Sequence, residues 1–242
     1  MIGLVPAAGI SRRAMGVVKE LLPISKDKLC IDHTIEQMMK VPVDKIFLVT
    51  SPMKAAYHMH VLGNERLGIP ISYLCQRSPS GLGGAVLESE KIVSLENSRI
   101  CFMMPDTIIT PDDALKQLSR YHESLVLGVH RVRNPQDFGV VIFDAHNTPV
   151  RIEDKPIRPE SNWVWSCAIF DRGIYDILRK LAPLRGEIQL TDAFSHYLSE
   201  HKERTRVIQF KEGNYTDVGN LTTYRDLRLN RDSKKGPLPL SD

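Results

Sequence analysis

The sequence predicts an α/β fold built on one open, mixed sheet. Three observations carry this expectation. In the first half, short apolar runs alternate with amphipathic stretches, the pattern of parallel strands joined by helical crossovers. In the second half, strand-like runs follow one another with turn residues between them, the pattern of a mixed or antiparallel extension. Of the 242 residues, 42% are hydrophobic and 25% charged, which suits one large domain with a sizeable core.

The elements follow in order. Ile2–Val5 reads as a buried strand, and Ile31–Met39 as a helix. Lys45–Thr50 (K-I-F-L-V-T) is a second buried strand, ended by Ser51-Pro52. Lys54–Arg66 reads as a helix closed by Gly68, and Ile69–Cys75 as a strand. Leu82–Val93 is a helix, and Arg99–Met104 (R-I-C-F-M-M) another buried strand. Four strand-like runs come next, Ser124–Arg131, Phe138–Asp144, Val150–Glu153 and Trp163–Phe170, punctuated by Asn134-Pro135 and Asn147-Thr148-Pro149. Trp163 and Trp165 are two apart and should pack on one face of their strand. Gly173–Leu181 and Thr191–His201 read as helices, Arg206–Phe210 as a late strand, Leu221–Leu229 as a last helix, and residues 232–242 as a loose tail.

Composition narrows the function classes. A net charge of +3 gives no reason to expect nucleic acid. The cysteines, Cys30, Cys75, Cys101 and Cys167, form no C-x-x-C pair, so a zinc knuckle and a disulfide framework are both unexpected and a reducing cytoplasm fits. No signal peptide is recognised, and no apolar run approaches the ~20 residues that span a bilayer. The P-loop, H-E-x-x-H and G-x-S-x-G motifs do not occur, and Gly81-Leu82-Gly83-Gly84 lacks the glycine that completes G-x-G-x-x-G. His58 and His60 would diverge on a helix and read as surface residues.

Chemistry-bearing positions sit at the ends of the apolar runs. Ala7-Ala8-Gly9 follows the first strand, with Arg13 and Lys19 beyond it. Small residues let a ligand approach the backbone, and the two cations would lie where phosphates bind. An ordinary strand–loop–helix turn stands equally open. Gln76–Ala85 follows a strand and opens a helix; Gln76 offers an amide for a base edge and Gly81 permits close approach, or the segment is a surface loop. Asp106 lies at a strand end, as a metal ligand or a turn residue. Gly139 with Glu153-Asp154-Lys155 offers a hydroxyl-rich ligand a glycine and a phosphate a lysine, or is a charged hairpin end. Glu187 could meet ligand hydroxyls or begin a helix, and Asp217 is a second candidate metal carboxylate or a plain turn.

In this order and spacing, the opening loop and the five later segments resemble the sugar-1-phosphate nucleotidyltransferases, the nucleotide-sugar pyrophosphorylases. Gln76–Ala85, Phe138–Val141 and Glu153–Pro156 are similar to the glucose-1-phosphate thymidylyltransferases. Lys19–Pro23, Glu187–Ala193 and Asp217–Asn220 are similar to the UTP–glucose-1-phosphate uridylyltransferases. The resemblance implies an open Rossmann-like mixed sheet with helices on both faces and a small sugar-side β extension. It implies a single domain over residues 1–231, with a nucleotide half to about residue 123 and a sugar and metal half beyond.

Site roles follow from the resemblance. Ala7, Ala8 and Gly9 would wrap the triphosphate, with Arg13 and Lys19 on its phosphates, while Gln76 and Gly81 would face the base. Asp106 and Asp217 would hold Mg²⁺. Lys155 would grip the phosphate of the sugar, and Gly139, Glu153, Asn162 and Glu187 would line its pocket. The implied reaction joins a nucleoside triphosphate, UTP or dTTP favoured, to a sugar-1-phosphate, glucose-1-phosphate favoured, and releases pyrophosphate.

Departures from the family pattern are concentrated in the opening loop. Ser11 and Arg12 replace a glycine and a small residue, and the stretch from Arg13 to Lys19 is short. In this it looks more like cytidylyl- and guanylyltransferases of the same fold. A cytidylyltransferase with another phosphorylated acceptor, and a catalytically silent nucleotide- or sugar-binding domain, are the alternatives. A glycosyltransferase would want a D-x-D metal motif, which Asp106-Thr107-Ile108 is not. The basic residues Arg225, Arg228, Arg231, Lys234 and Lys235 read as a solvated face, and a homo-oligomer stays open.

Overall fold

The computed structural model describes residues 1–9, 17–92, 99–182, 186–219 and 221–232. Its strands are β1 (Ile2–Pro6), β2 (Pro23–Ser25), β3 (Lys28–Leu29), β4 (Lys45–Thr50), β5 (Glu65–Arg66), β6 (Ile69–Cys75) and β7 (Ile100–Met103). They continue with β8 (Thr107–Ile109), β9 (Leu125–Arg131), β10 (Gly139–Phe143), β11 (Pro149–Asp154), β12 (Trp163–Phe170), β13 (Thr205–Gln209) and β14 (Tyr215–Asp217).

Among the described residues, ten strands form one sheet along β11-β10-β12-β7-β1-β4-β6-β5, with β9 paired to β12 and β13 to β9. The central parallel part is β7, β1, β4 and β6, and at the far edge β13 runs parallel to β9. β12 joins it antiparallel to β7, and its other edge carries β9, also antiparallel. This is the mixed sheet with an antiparallel extension that the sequence predicts.

The apolar runs of β1, β4 and β7 are continuous because both faces of these strands are covered, while β6, at the outer side, alternates buried and exposed residues. Alternate residues enter two different cores. Leu4, Phe47, Val49 and Phe102 pack on one face with Ile174, Leu178, Phe194 and Leu198 of the helices Gly173–Leu181 and Leu190–Glu200. Val5, Ile46, Leu48 and Met103 pack on the other with Ile31, Ile35 and Met38 of the helix Cys30–Met38. Both tryptophans, Trp163 and Trp165, enter the first core, on one face of β12.

Two expected elements change. The helix expected over Lys54–Arg66 runs only from Ala55 to Leu62. Gly63 ends it at φ 63°, a conformation that glycine adopts without steric cost. Gly68 does not close a helix; Leu67 (φ 54°) and Gly68 (φ 83°) form the two-residue turn between β5 and β6, the geometry of a type I′ hairpin. The helix expected over Leu82–Val93 runs from Gly81 to Leu87, a turn follows at residues 88–89, residues 90–92 are helical again, and Val93 lies outside the described residues. The tail from residue 233 on lies outside the described residues.

Candidate active site

β1, β4, β6 and β7 all end at the same edge of the sheet, and the loops that follow them open one cleft of about 530 Å³. Such an edge is where open α/β sheets bind ligands. Ala7, Ala8 and Gly9 continue β1 along one wall of the cleft. The Ala7 amide still donates to the Val49 carbonyl (2.7 Å), so the loop leaves the sheet only after that residue.

Gln76 follows β6 in the same way, its amide donating to the Thr50 carbonyl (2.8 Å). Its side chain is nearly buried and donates to Ser80 Oγ (2.9 Å). Gly81 is required by its backbone: φ is 80°, and a Cβ there would lie 2.6 Å from the Ile188 carbonyl oxygen. The loop is laced to the segment before the helix Leu190–Glu200 by two backbone bonds. Ile188 N–H donates to Ser80 O (2.9 Å), and Gly83 N–H donates to Ile188 O (2.7 Å). Glu187 and Gln189 of that segment, and Thr191 in the first turn of the helix, reach the same cleft.

A two-stranded sheet brings the two candidate metal carboxylates to one wall. β14 pairs antiparallel with β8, Asp217 opposite Thr107, and Val218 N–H donates to the Asp106 carbonyl (2.8 Å). Asp106 and Asp217 thus come from positions far apart in the chain to adjacent places on the cleft. Lys19 donates from Nζ to Asp106 Oδ2 (2.6 Å). Burial would lower the Lys19 pKa, but the charge and hydrogen bond of Asp106, with the charges of Asp217 and Glu20, raise it above the usual lysine value. Gly219 keeps room for the second carboxylate, since a Cβ there would stand 2.3 Å from Asp217 Oδ2.

The opposite wall is made by β10, β11 and β12. Gly139 lies against the Trp165 indole; a Cβ would be 2.1 Å from Nε1. That nitrogen donates to Thr191 Oγ1 (3.1 Å). The β12–β9 register shifts between Trp165 and Cys167, a bulge that lets both Trp165 and Ser166 line the cleft. Lys155 follows β11 with φ 45°, its amide held by the Phe138 carbonyl (2.9 Å). A non-glycine residue in this region costs on the order of 1 kcal/mol, and such strain clusters at functional sites.

Two residues expected on the sugar side stand outside the lining of the cleft. Glu153 does not line the cleft; it pairs with Arg151 (2.8 Å), while its neighbour Asp154 lines the cleft. Successive strand residues point to opposite faces, so a shift of one residue exchanges the two. Asn162 is also outside the lining, and its carbonyl accepts from Val132 N–H (3.0 Å). Arg13 lies outside the described residues. Lys19, Lys155, Ala7, Ala8, Gly9, Gln76, Gly81, Gly139, Glu187, Asp106 and Asp217 all reach one cleft.

Sequence reasoning missed several lining residues, among them Glu20, Lys54, Asp137, Asp154 and Ser166. His58, expected on the surface, is fully buried behind the cleft with Glu20 and Thr50.

A family model for nucleotidyl transferases matches residues 13–233. The chain belongs to this nucleotidyl transferase family. A glucose-1-phosphate thymidylyltransferase of Neisseria meningitidis is 32% identical over 210 residues, covering 83% of this chain and 72% of that one. One from Mycobacterium tuberculosis is 29% identical over 218 residues, 86% of this chain and 74% of the relative. Among solved structures, a Bacillus anthracis protein carrying the same enzyme name superposes with a TM-score of 0.85 at 22% identity, covering 98% of both chains. A UDP-glucose pyrophosphorylase in complex with UDP-glucose gives 0.80 at 23% identity, over 97% of this chain and 99% of that chain. These two likenesses establish the nucleotidyl transferase fold. No described helix is long and apolar enough to cross a membrane.

Proposed function

We propose that the protein joins UTP or dTTP to a sugar-1-phosphate, glucose-1-phosphate first, and releases pyrophosphate. One observation carries this reading: a single cleft has Lys19, Asp106 and Asp217 beside the Ala7–Gly9 loop on one wall and Lys155 with Glu187 elsewhere on its lining. Two anionic substrates can therefore meet there with a cation for each. The names of the relatives support the same pair of substrates.

The reaction makes few covalent demands. An oxygen of the sugar phosphate attacks the α-phosphorus, the bond from that phosphorus to the bridging oxygen breaks, and the electron pair leaves with pyrophosphate. The attacking phosphate is already ionised near neutral pH, so no general base is needed. Orientation of the two anions and neutralisation of the developing charge do the work. Lys155 would hold the attacking phosphate, Lys19 would sit at the triphosphate, and Gln76 and Gly81 would receive the base.

Asp106 and Asp217 fit Mg²⁺ by the chemistry of the donor set. Carboxylate oxygens are hard ligands, and a cation that binds through two of them completes its shell with substrate phosphate and water. The described residues hold no group of three or more His, Cys, Asp or Glu side chains able to bind a metal. When bound, it would neutralise charge on the triphosphate.

Pyrophosphate release, measured over a matrix of UTP, dTTP, CTP, GTP and ATP against sugar-1-phosphates, with and without Mg²⁺, tests the reading. Turnover with UTP or dTTP and glucose-1-phosphate, abolished by metal chelation, is expected. Turnover with CTP and a different phosphorylated acceptor would replace the substrate assignment. Binding without release for every pair would make the protein a silent sensor.

A further inference from the structure

Behind the nucleotide loop lies a buried chain of polar groups that the proposed chemistry does not use. Glu20 is 2% exposed, Lys54 7% and His58 0%. Glu20 Oε1 accepts from both Lys54 Nζ (2.9 Å) and His58 Nε2 (2.9 Å). Lys54 Nζ also donates to the Ala7 carbonyl (3.1 Å), and His58 Nδ1 lies 2.7 Å from Thr50 Oγ1. A carboxylate only accepts, so Nε2 carries the proton toward Glu20; in the neutral ring Nδ1 then accepts from the Thr50 hydroxyl.

The contacts of Lys54 decide between two roles. An ammonium has three donors. Two of them are committed to Ala7 and Glu20, and Glu20 balances the charge locally. Lys54 is therefore a poor candidate for gripping phosphate and a good one for holding the loop that follows β1. Glu20 has a second lever. It lies in the 3₁₀ turn Lys19–Leu21, closed by Leu21 N–H to Val18 O and Leu22 N–H to Lys19 O (both 3.0 Å). The same turn presents Lys19 to Asp106 on its other side.

We propose that Glu20 is a positioning residue for nucleotidyl transfer: through Lys54 it fixes the Ala7 carbonyl and the triphosphate loop, and through its turn it aims Lys19 at Asp106. This rests on the function proposed above. Burial opposes ionisation of Glu20, but the His58 hydrogen bond and the Lys54 charge outweigh it and hold the carboxyl below its usual range. The carboxylate is thus present throughout the neutral range to anchor both partners.

The test compares Glu20→Gln, Lys54→Met and the double variant Glu20→Gln/Lys54→Met. Measured are KM for each substrate, kcat, the thermal midpoint, and calorimetric binding of UTP and dTTP without sugar phosphate. Glu20→Gln should raise the triphosphate KM and lower kcat, each on the order of tenfold, with the sugar-phosphate KM within about twofold. It also leaves Lys54 as an uncompensated buried charge, so the midpoint falls. The double variant removes that charge and should recover most of the midpoint, while the triphosphate KM stays raised. Recovery of both together would reduce the network to a structural role and overturn the proposal, as would unchanged kinetics in Glu20→Gln or an equal rise in both KM values. If the wild type releases no pyrophosphate with any pair, the function reading fails. UTP and dTTP binding then still judges Glu20, whose variants should bind at least severalfold more weakly; equal binding would overturn its role.

Discussion

Asp217 shows how little of a site one residue supplies and how much depends on it. It faces Asp106 only because β14 pairs with β8 in the register Asp217 to Thr107. Asp217→Asn keeps the size and the register but removes one of two charges offered to a cation. Turnover should fall on the order of 100-fold, measured as pyrophosphate release, with part of the loss recovered at high Mg²⁺; unchanged turnover would mean the metal binds elsewhere. Lys155→Ala should act on the other substrate. Loss of a charged hydrogen bond, about 1.5–3 kcal/mol, raises the sugar-phosphate KM roughly 10- to 100-fold and leaves the triphosphate KM near its original value. A rise confined to the triphosphate would reverse the assignment of Lys155. Gly81→Ala combines a strained φ with a Cβ 2.6 Å from a backbone oxygen. The backbone must move, so the thermal midpoint and triphosphate affinity should both fall.

Among the elements, legibility follows periodicity. β1, β4 and β7 were readable because both faces are buried and their runs are mostly apolar, and β6 because buried Ile69 and Ile71 alternate with exposed Pro70 and Ser72. β2, β3, β8 and β14 have two or three residues each, too few for any pattern to emerge. Yet β8 and β14 join the two carboxylates, so the most consequential pairing was the least visible. Asp106 and Lys155 stand just beyond strands and could be found as strand-end chemistry, and Lys19 as the cation before the Leu21-Leu22 pair. Glu20, Lys54 and His58 could not, because a buried ion pair and a solvated charge look the same in a sequence. Glu153 and Asp154 differ by one step of strand alternation, and only Asp154 lines the cleft. The bulge at Ser166 is equally silent in sequence, but it makes the cleft wall of Gly139, Trp165 and Ser166 dependent on close packing of β10 and β12. Gly139→Ala would drive a Cβ into the Trp165 indole and break its bond to Thr191. Lower stability is expected together with weaker use of sugar phosphate, and normal kinetics in a stable Gly139→Ala protein would show that the indole has no part in that wall.

The whole molecule responds to pH through groups placed by the same architecture. His130 sits in β9 with no exposed surface. Its Nε2 is 2.8 Å from the Thr110 carbonyl, its Nδ1 is 2.8 Å from Ser166 Oγ, and its ring stacks on Phe210 with centroids 4.9 Å apart. A carbonyl only accepts, so Nε2 carries the proton and Nδ1 accepts from Ser166. Burial pushes the imidazole pKa down to about 4, and the Thr110 hydrogen bond recovers only part of that. The unfolded chain would hold this proton up to about pH 6.5. Between pH 4 and 6.5 the unfolded state therefore binds more protons, and stability rises with pH across that window. The contribution is complete above pH 6.5 and lost as pH falls toward 4, with a span on the order of 3 kcal/mol at most. Glu20, whose pKa is lowered in the fold, adds a loss of the same sign at the acid end, below its ordinary value. Thermal midpoints should then drop steadily from pH 6.5 to pH 4. His130→Phe keeps an aromatic ring against Phe210 but cannot titrate. It should be less stable at neutral pH, because Ser166 and the Thr110 carbonyl lose their partner, and its slope between pH 4 and 6.5 should be distinctly shallower. An unchanged slope would place the proton uptake elsewhere. Because Ser166 lines the cleft, the same variant reports whether this buried histidine also holds the sugar-side wall in place: if it does, the sugar-phosphate KM rises even at pH 7.5, where His130 carries no charge.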